Sequence, residues 1–192
     1  MDKRDVIPPL SQLEEELSRI RHKRQYAKTL RGTVSVLVIV AAVAVLAATL
    51  LFPVFNLHGS SMEPTLNNGE LVLAVKNTTL KRGDIIAFYY NNKILVKRVM
   101  GFPGEIIDVQ EDGTVVVNGE EIDEPYLTSK SFGECDIDFP YTVPENRYFV
   151  MGDLRETSLD SRTKEIGAIA DEVIVGRIVF RFWPVGKWGA VG

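Results

Sequence analysis

The sequence predicts a mostly β protein: one apolar N-terminal helix of membrane-spanning length, then an antiparallel β domain. Three observations predict this. Residues 32–52 read GTVSVLVIVAAVAVLAATLLF, 21 residues without a charge. Beyond Pro53, short apolar runs alternate with turn residues. Charge divides unevenly across the apolar stretch: residues 1–31 hold 8 Lys/Arg against 5 Asp/Glu, whereas residues 53–192 hold 14 against 21.

Residues 1–31 form the first segment, expected on the cytoplasmic side. Leu10, Leu13, Leu17 and Ile20 recur at helical spacing. Ser11 with Glu14 three residues on reads as a cap. The predicted helix is amphipathic, its basic face near anionic headgroups. Residues 32–52 form the second segment. At about 1.5 Å per residue they cover roughly 30 Å, the hydrocarbon thickness of a bilayer. A buried core helix would need cover on every side, which few domains of this size supply. Arg19, Arg21, Lys23, Arg24, Lys28 and Arg31 precede the span, with no acid among residues 19–31. The positive-inside rule therefore puts the N-terminus in the cytoplasm and everything after Phe52 outside. A cleaved leader would need a 31-residue basic region and an apolar core of twice the usual length, so the span reads as an uncleaved, single-pass anchor.

The third segment, 53–192, carries the strands: 71–75, 84–90, 93–100, 105–109, 114–117, 147–151 and 172–183. Asp112–Gly113 and Asn118–Gly119 suit hairpins with positive φ, and Asn91–Asn92 is a weaker case. Residues 127–146 lack periodicity and read as a loop insertion. Arg82–Gly83–Asp84 reads as a tight turn before a strand, and Asn77–Thr78–Thr79 spells a glycosylation sequon. Phe180, Phe182, Trp183 and Trp188 suit either a membrane interface or a β core.

Composition excludes several chemistries. A net charge of −4 and a pI near 5.3 argue against nucleic acid as a partner. One cysteine, Cys135, excludes an internal disulfide and any multi-thiolate site; two histidines, His22 and His58, leave little for a metal. No cofactor is expected.

A hydrolase needs a nucleophile, a base and oxyanion donors. Ser61, in the Gly/Ser/Pro-rich segment 55–70, is either a loop serine or a nucleophile. Its only histidine outside the cytoplasmic segment, His58, is too close along the chain to face it well. That leaves lysine as base, and burial lowers a lysine pKa because the charged form is poorly solvated. Lys97 lies in the most apolar surroundings, with Leu95 and Val99 on its strand face. On the residues alone it is either an edge lysine reaching for water or a buried base. The segment 150–162 is either a solvated loop or a salt-bridged frame behind Lys97.

Taken together, four segments resemble the bacterial type I signal peptidases: Gly59-Ser60-Ser61-Met62-Glu63-Pro64-Thr65, Arg82-Gly83-Asp84, Val96-Lys97-Arg98-Val99-Met100-Gly101-Phe102-Pro103-Gly104, and Gly152-Asp153-Leu154-Arg155 through Ser158, Asp160 and Arg162. Asn118-Gly119, Glu124-Pro125-Tyr126 and Trp183-Pro184 agree with it, and the likeness covers about residues 30–190. The resemblance implies a membrane-anchored Ser/Lys peptidase with a β catalytic domain, removing signal peptides from exported preproteins at the outer face of the cytoplasmic membrane. Ser61 would attack the scissile carbonyl to form an acyl-enzyme, its backbone N–H helping to hold the oxyanion. Lys97 would be the neutral general base and later the proton donor to the leaving amine. Ser158 would hydrogen-bond that lysine. Asp153 would pair with Arg98, and Asp160 with Arg162. Phe55, Leu57, Met62, Leu66, Leu95 and Val96 would line shallow pockets for small residues at substrate positions −1 and −3. Two departures stand out: Gly59 where relatives carry a serine donor, and Leu154 where many carry asparagine. Implied partners are preprotein signal peptides, the lipid bilayer and the translocation machinery. Ser61 lies nine residues past Phe52, at the level where a signal peptide emerges. A peptidase of the same fold with one dedicated substrate, and a non-catalytic anchored binding domain, are the competing readings.

Overall fold

The structure, a computed structural model, describes residues 10–76 and 78–191. They fall into two compact units, Met1–Leu50 and Leu51–Gly192. In the first, residues 10–50 belong to one continuous helix, α1 (Leu10–Leu51), with no buried residue. Ser11 lies inside its first turn and not before it. The uncharged stretch makes α1 long and apolar enough to cross a membrane. Asn77 of the sequon lies outside the described residues.

In the second unit every strand pairing is antiparallel. Its main sheet joins β1 (Val54–Asn56), β2 (Leu71–Val75), β3 (Ile85–Tyr90), β4 (Lys93–Gly101), β9 (Arg147–Met151), β10 (Ile169–Ala170), β11 (Ile174–Trp183) and β12 (Gly189–Ala190). The order is β1-β2-β11-β3-β4-β9-β10, with β12 on β11. A smaller sheet joins β5 (Ile106–Val109), β6 (Val115–Val117), β7 (Glu120–Glu121) and β8 (Tyr141–Thr142) in the order β7-β6-β5-β8. Burial alternates where one face is covered, as in β6, whose Val115 and Val117 are buried about a half-exposed Val116.

Turn chemistry sets the hairpins. Asn91 and Asn92 both take positive φ between β3 and β4, as do Asn118 and Gly119 between β6 and β7. The Asn-Asn pair, the weaker expectation, is thus a full two-residue turn, because asparagine tolerates the left-handed region. Asp112–Gly113 differs from expectation. Only Gly113 takes positive φ. Asp112 instead accepts the Thr114 N–H on its carboxylate at 2.9 Å, closing the loop through its side chain. Arg82–Gly83–Asp84 is a turn: Gly83 has φ +88°, and Arg82 pairs with Glu105 at 2.6 Å.

Three apolar clusters form the core. Leu57, Met62, Leu66, Val72, Ala74, Ile85 and Ile178 make the one beneath Ser61. Ile86, Phe88, Val99, Val150, Ile166 and Ile169 make the second, which Leu95 joins. The third fills the smaller sheet, and residues 127–146 help to build it. Val143 is buried in it, and Phe132, Ile137, Phe139 and Tyr141 pack against it. That segment is therefore more than an inserted loop: it contributes β8 and a wall of core.

Phe182, Trp183 and Trp188 are exposed, and Phe180 meets both Phe182 and Trp188 edge-on. The aromatic group at the end of β11 is thus a surface feature.

Candidate active site

Ser61 and Lys97 come from different elements. Ser61 lies in the turn after β1, where the Glu63 N–H returns to the Ser60 carbonyl at 2.9 Å and the Leu66 N–H to the Met62 carbonyl at 2.9 Å. Met62 and Leu66 are buried, so apolar packing on the cluster below pins the turn that presents Ser61. Lys97 sits in mid β4, opposite Ile86 of β3.

The Lys97 side chain is 3 % exposed, so it does not reach for water. Its Nζ donates to Ser61 Oγ at 2.6 Å. Burial pulls the ammonium down from 10.5 to about 8. The charges of Asp160 and Asp153 work against that fall, and that of Arg162 assists it. A serine hydroxyl bonded to an amine that sheds its proton near neutrality is the geometry of an activated nucleophile. His58 bonds neither Ser61 nor Lys97; its ring Nδ1 lies 3.1 Å from the Asn56 carbonyl oxygen.

Behind the dyad the segment 152–162 is a salt-bridged frame. Arg98 meets Asp153 through Nε at 2.8 Å and Nη2 at 2.6 Å. It also donates to the Gly83 carbonyl at 2.7 Å and lies 3.7 Å over the Tyr126 ring. Arg162 and Asp160 are both fully buried and joined by two 2.8 Å bonds. Asp160 also accepts the Gly152 N–H at 2.9 Å, and Arg162 donates to the Phe132 carbonyl at 2.6 Å. The 127–146 segment is thereby tied to the frame.

Gly152 is the point of closest approach. A Cβ there would lie 2.5 Å from the Ser61 carbonyl oxygen and collide with Ser158 Oγ. Gly152→Ala is therefore expected to leave the domain folded and to lower kcat/KM by about 100-fold, because a small displacement of reacting groups costs that much. Steady-state kinetics beside circular dichroism checks it.

Ser158 departs from what the resemblance implies. It is buried, but its Oγ has no hydrogen-bond partner among the described residues, so the bond to Lys97 is not made here. It packs on Gly152 instead.

The six expected pocket residues share one cleft of about 710 Å³ with Ser61. Phe55 and Leu57 come from β1 and the turn after it, Met62 and Leu66 from the Ser61 turn, Leu95 and Val96 from β4. β1 and β4 lie far apart in strand order, so the main sheet curls to bring them to one cleft. Asn56, His58, Gly59, Lys93 and Ile94 also line it, and apart from Gly59 sequence reasoning gave them no place there. Residues 93–97 of β4 pair only with β3, since β9 meets β4 at Arg98–Gly101. Their outer backbone edge is unpaired among the described residues.

The departures have physical accounts. Gly59 has φ +98°, which disfavours a side chain, and its N–H donates to Asn68 Oδ1 at 3.1 Å. Leu154 acts through its backbone, its N–H donating to the Ser61 carbonyl at 3.1 Å. Sequence reasoning missed a further buried ion pair, Arg155 with Glu124, although Glu124 was part of the resemblance. Tyr126 Oη donates to Glu124 Oε1 at 2.6 Å, and burial pushes this phenol well above its ordinary value. Only the neighbouring Pro125 hinted at a turn that could tuck Glu124 inward.

Among the described residues no group of three or more His, Cys, Asp or Glu side chains could hold a metal ion. A family model described as "Signal peptidase, peptidase S26" matches residues 30–183. Signal peptidase I S of Bacillus subtilis (strain 168) is 35 % identical over 187 residues, which are 90 % of this chain and 96 % of that one. Signal peptidase I T of the same organism is 40 % identical over 165 residues, 79 % of this chain and 84 % of that one. A crystal structure of a signal peptidase I from Enterococcus faecalis V583 is 31 % identical, covers 52 % of this chain and 97 % of that one, and superposes with a TM-score of 0.45. With the family matched over most of its length and relatives of this identity nearly end to end, the chain belongs to the signal peptidase family, peptidase S26.

Proposed function

We propose that the chain removes N-terminal signal peptides from exported preproteins, with Ser61 as nucleophile and Lys97 as general base. Membership of peptidase S26 makes it a serine endopeptidase, and the apolar helix makes it membrane-anchored. The observation that carries the assignment of roles is the 2.6 Å bond between Lys97 Nζ and Ser61 Oγ in a site that lowers the lysine to about 8.

The reaction follows from that geometry. An extended substrate pairs with the free edge of β4 and sets small side chains at −1 and −3 into the apolar cleft. Neutral Lys97 takes the Ser61 proton as Oγ attacks the carbonyl carbon. The Ser61 N–H, which bonds no acceptor among the described residues, supports its use as an oxyanion donor. Protonated Lys97 then gives its proton to the leaving amine, and water, deprotonated by the same lysine, releases the signal peptide from the acyl-enzyme. Arg98–Asp153 and Arg162–Asp160 hold the strand and frame that keep the two groups in register.

Residues 1–31 are assigned to the cytoplasm, 32–52 to the bilayer and 53–192 to the outer side, on the Lys/Arg excess before the span. The partners are signal peptides, lipid and the translocation machinery. The test is cleavage of a purified preprotein by the full chain in detergent, beside Ser61→Ala. The expected result is a mature N-terminus preceded by small residues at −1 and −3, and its loss in the variant. A folded wild type that binds preproteins without cutting them would favour the non-catalytic reading, and cutting of one preprotein among many would favour a dedicated substrate.

A further inference from the structure

The cleft carries one cation on the face of the catalytic lysine. Lys93 opens β4, is exposed, and lines the cleft. Strand alternation puts Lys93, Leu95 and Lys97 on one face. Lys93 has no ion-pair partner among the described residues, and no carboxylate lines the cleft. Lys93 is also held in place: it follows the Asn91–Asn92 turn directly and pairs with Tyr90 across the hairpin.

The substrate's course follows from the same residues. Leu95, Val96, Ile94 and Lys93 all extend the cleft in one direction from Lys97. A peptide whose −1 residue sits at Ser61, with −3 in the same cleft, therefore runs upstream toward Lys93. Lys93 lies four positions before Lys97 on the strand, about 13 Å at the usual rise of about 3.3 Å per residue. An extended peptide covers that distance in four residues, which brings position −5 beside Lys93.

We propose that Lys93 is a specificity determinant that reads charge at substrate position −5, favouring an acidic and disfavouring a basic side chain there. This rests on the peptidase reading above and on the same cleft. The pair lies at a wet rim, so the discrimination is moderate and salt-sensitive.

The experiment uses the full chain in neutral detergent and three peptides that differ only in Asp, Ser or Lys at −5. At low ionic strength the Asp peptide is expected to have about fivefold to tenfold higher kcat/KM than the Lys peptide, narrowing in 0.5 M salt. Lys93→Glu should invert the order. Lys164→Glu makes the same charge change on an exposed lysine outside the cleft and should leave the ratio unchanged. Equal rates for the Asp and Lys peptides overturn the proposal, as does a preference that survives in Lys93→Glu or is lost equally in Lys164→Glu. If folded wild type cuts none of the three, the peptidase reading itself fails, a result distinct from cutting all three alike.

Discussion

Lys97→Met is expected to abolish cleavage while leaving the domain folded. Methionine fills nearly the same volume among the same neighbours but has no amine to receive the Ser61 proton. Loss of a member of such a catalytic unit lowers kcat by at least about 10³-fold, and the double variant with Ser61→Ala should be no worse than either alone. The wild type carries a second signature. As the proposed general base, Lys97 must be neutral to act, and burial brings it to about 8. Below that pH the logarithm of kcat/KM should fall with unit slope, and above it the rate should level off. A flat profile down to pH 6, or an activity that survives in Lys97→Met, would remove the lysine from its role.

The same group shifts stability with pH in a defined direction. An unfolded Lys97 keeps its proton up to about 10.5, whereas the folded one releases it near 8. Between these values the unfolded chain binds more protons, so wild-type stability rises with pH. Below about 8 both states are charged, and the full cost of burying the ammonium is present. Lys97→Met should therefore melt higher than wild type at pH 7, with the gap closing toward pH 10.5. Scanning calorimetry of both proteins across that range checks it.

Asp160→Ala is expected to have the largest effect on stability. Asp160 and Arg162 are fully buried, and the carboxylate also holds the Gly152 N–H. Removing it leaves a buried guanidinium without its counter-charge, which costs about 3–5 kcal/mol. For a domain of this size that corresponds to a Tm lower by about 10–20 °C. Asp160→Asn keeps the volume and isolates the electrostatics. Asp160 works against the lowering of Lys97, so its neutralisation should move the acid limb of the rate profile below 8. A Tm within 3 °C of wild type for Asp160→Ala would show that the pair is not integral to the fold.

Local order was determined by the residues themselves. The run LVLAV is β2 over Leu71–Val75, and RYFVM is β9 over Arg147–Met151, because β-branched and aromatic residues favour strands wherever they lie. Asparagine and glycine fixed the turns at 91–92 and 118–119 through their tolerance of positive φ. The uncharged 32–52 stretch required a helix of membrane length. Ser61, Lys97 and the two ion pairs with Asp153 and Asp160 were legible through the family's motifs, since each motif is a contiguous string of residues.

What the tertiary structure decided involves groups far apart in the chain. Nothing in the residues around Lys97 distinguishes a snorkelling lysine from a buried base. The choice falls to the curl of the sheet, which sets Met62 and Leu66 against the core and Ser61 over Nζ. Glu124 and Arg155, 31 positions apart, meet only because the frame and the smaller sheet are packed together. Residues 127–146 lack strand or helix periodicity, so only the folded chain shows that Phe132, Phe139 and Val143 build core and that the Phe132 carbonyl caps Arg162. Likewise Asp112 looks like a turn residue of positive φ, but its carboxylate found the Thr114 N–H first. Propensity and motif act over a few residues. Burial, and with it the pKa of Lys97, depends on which distant segments exclude water, and that is a property of the whole fold.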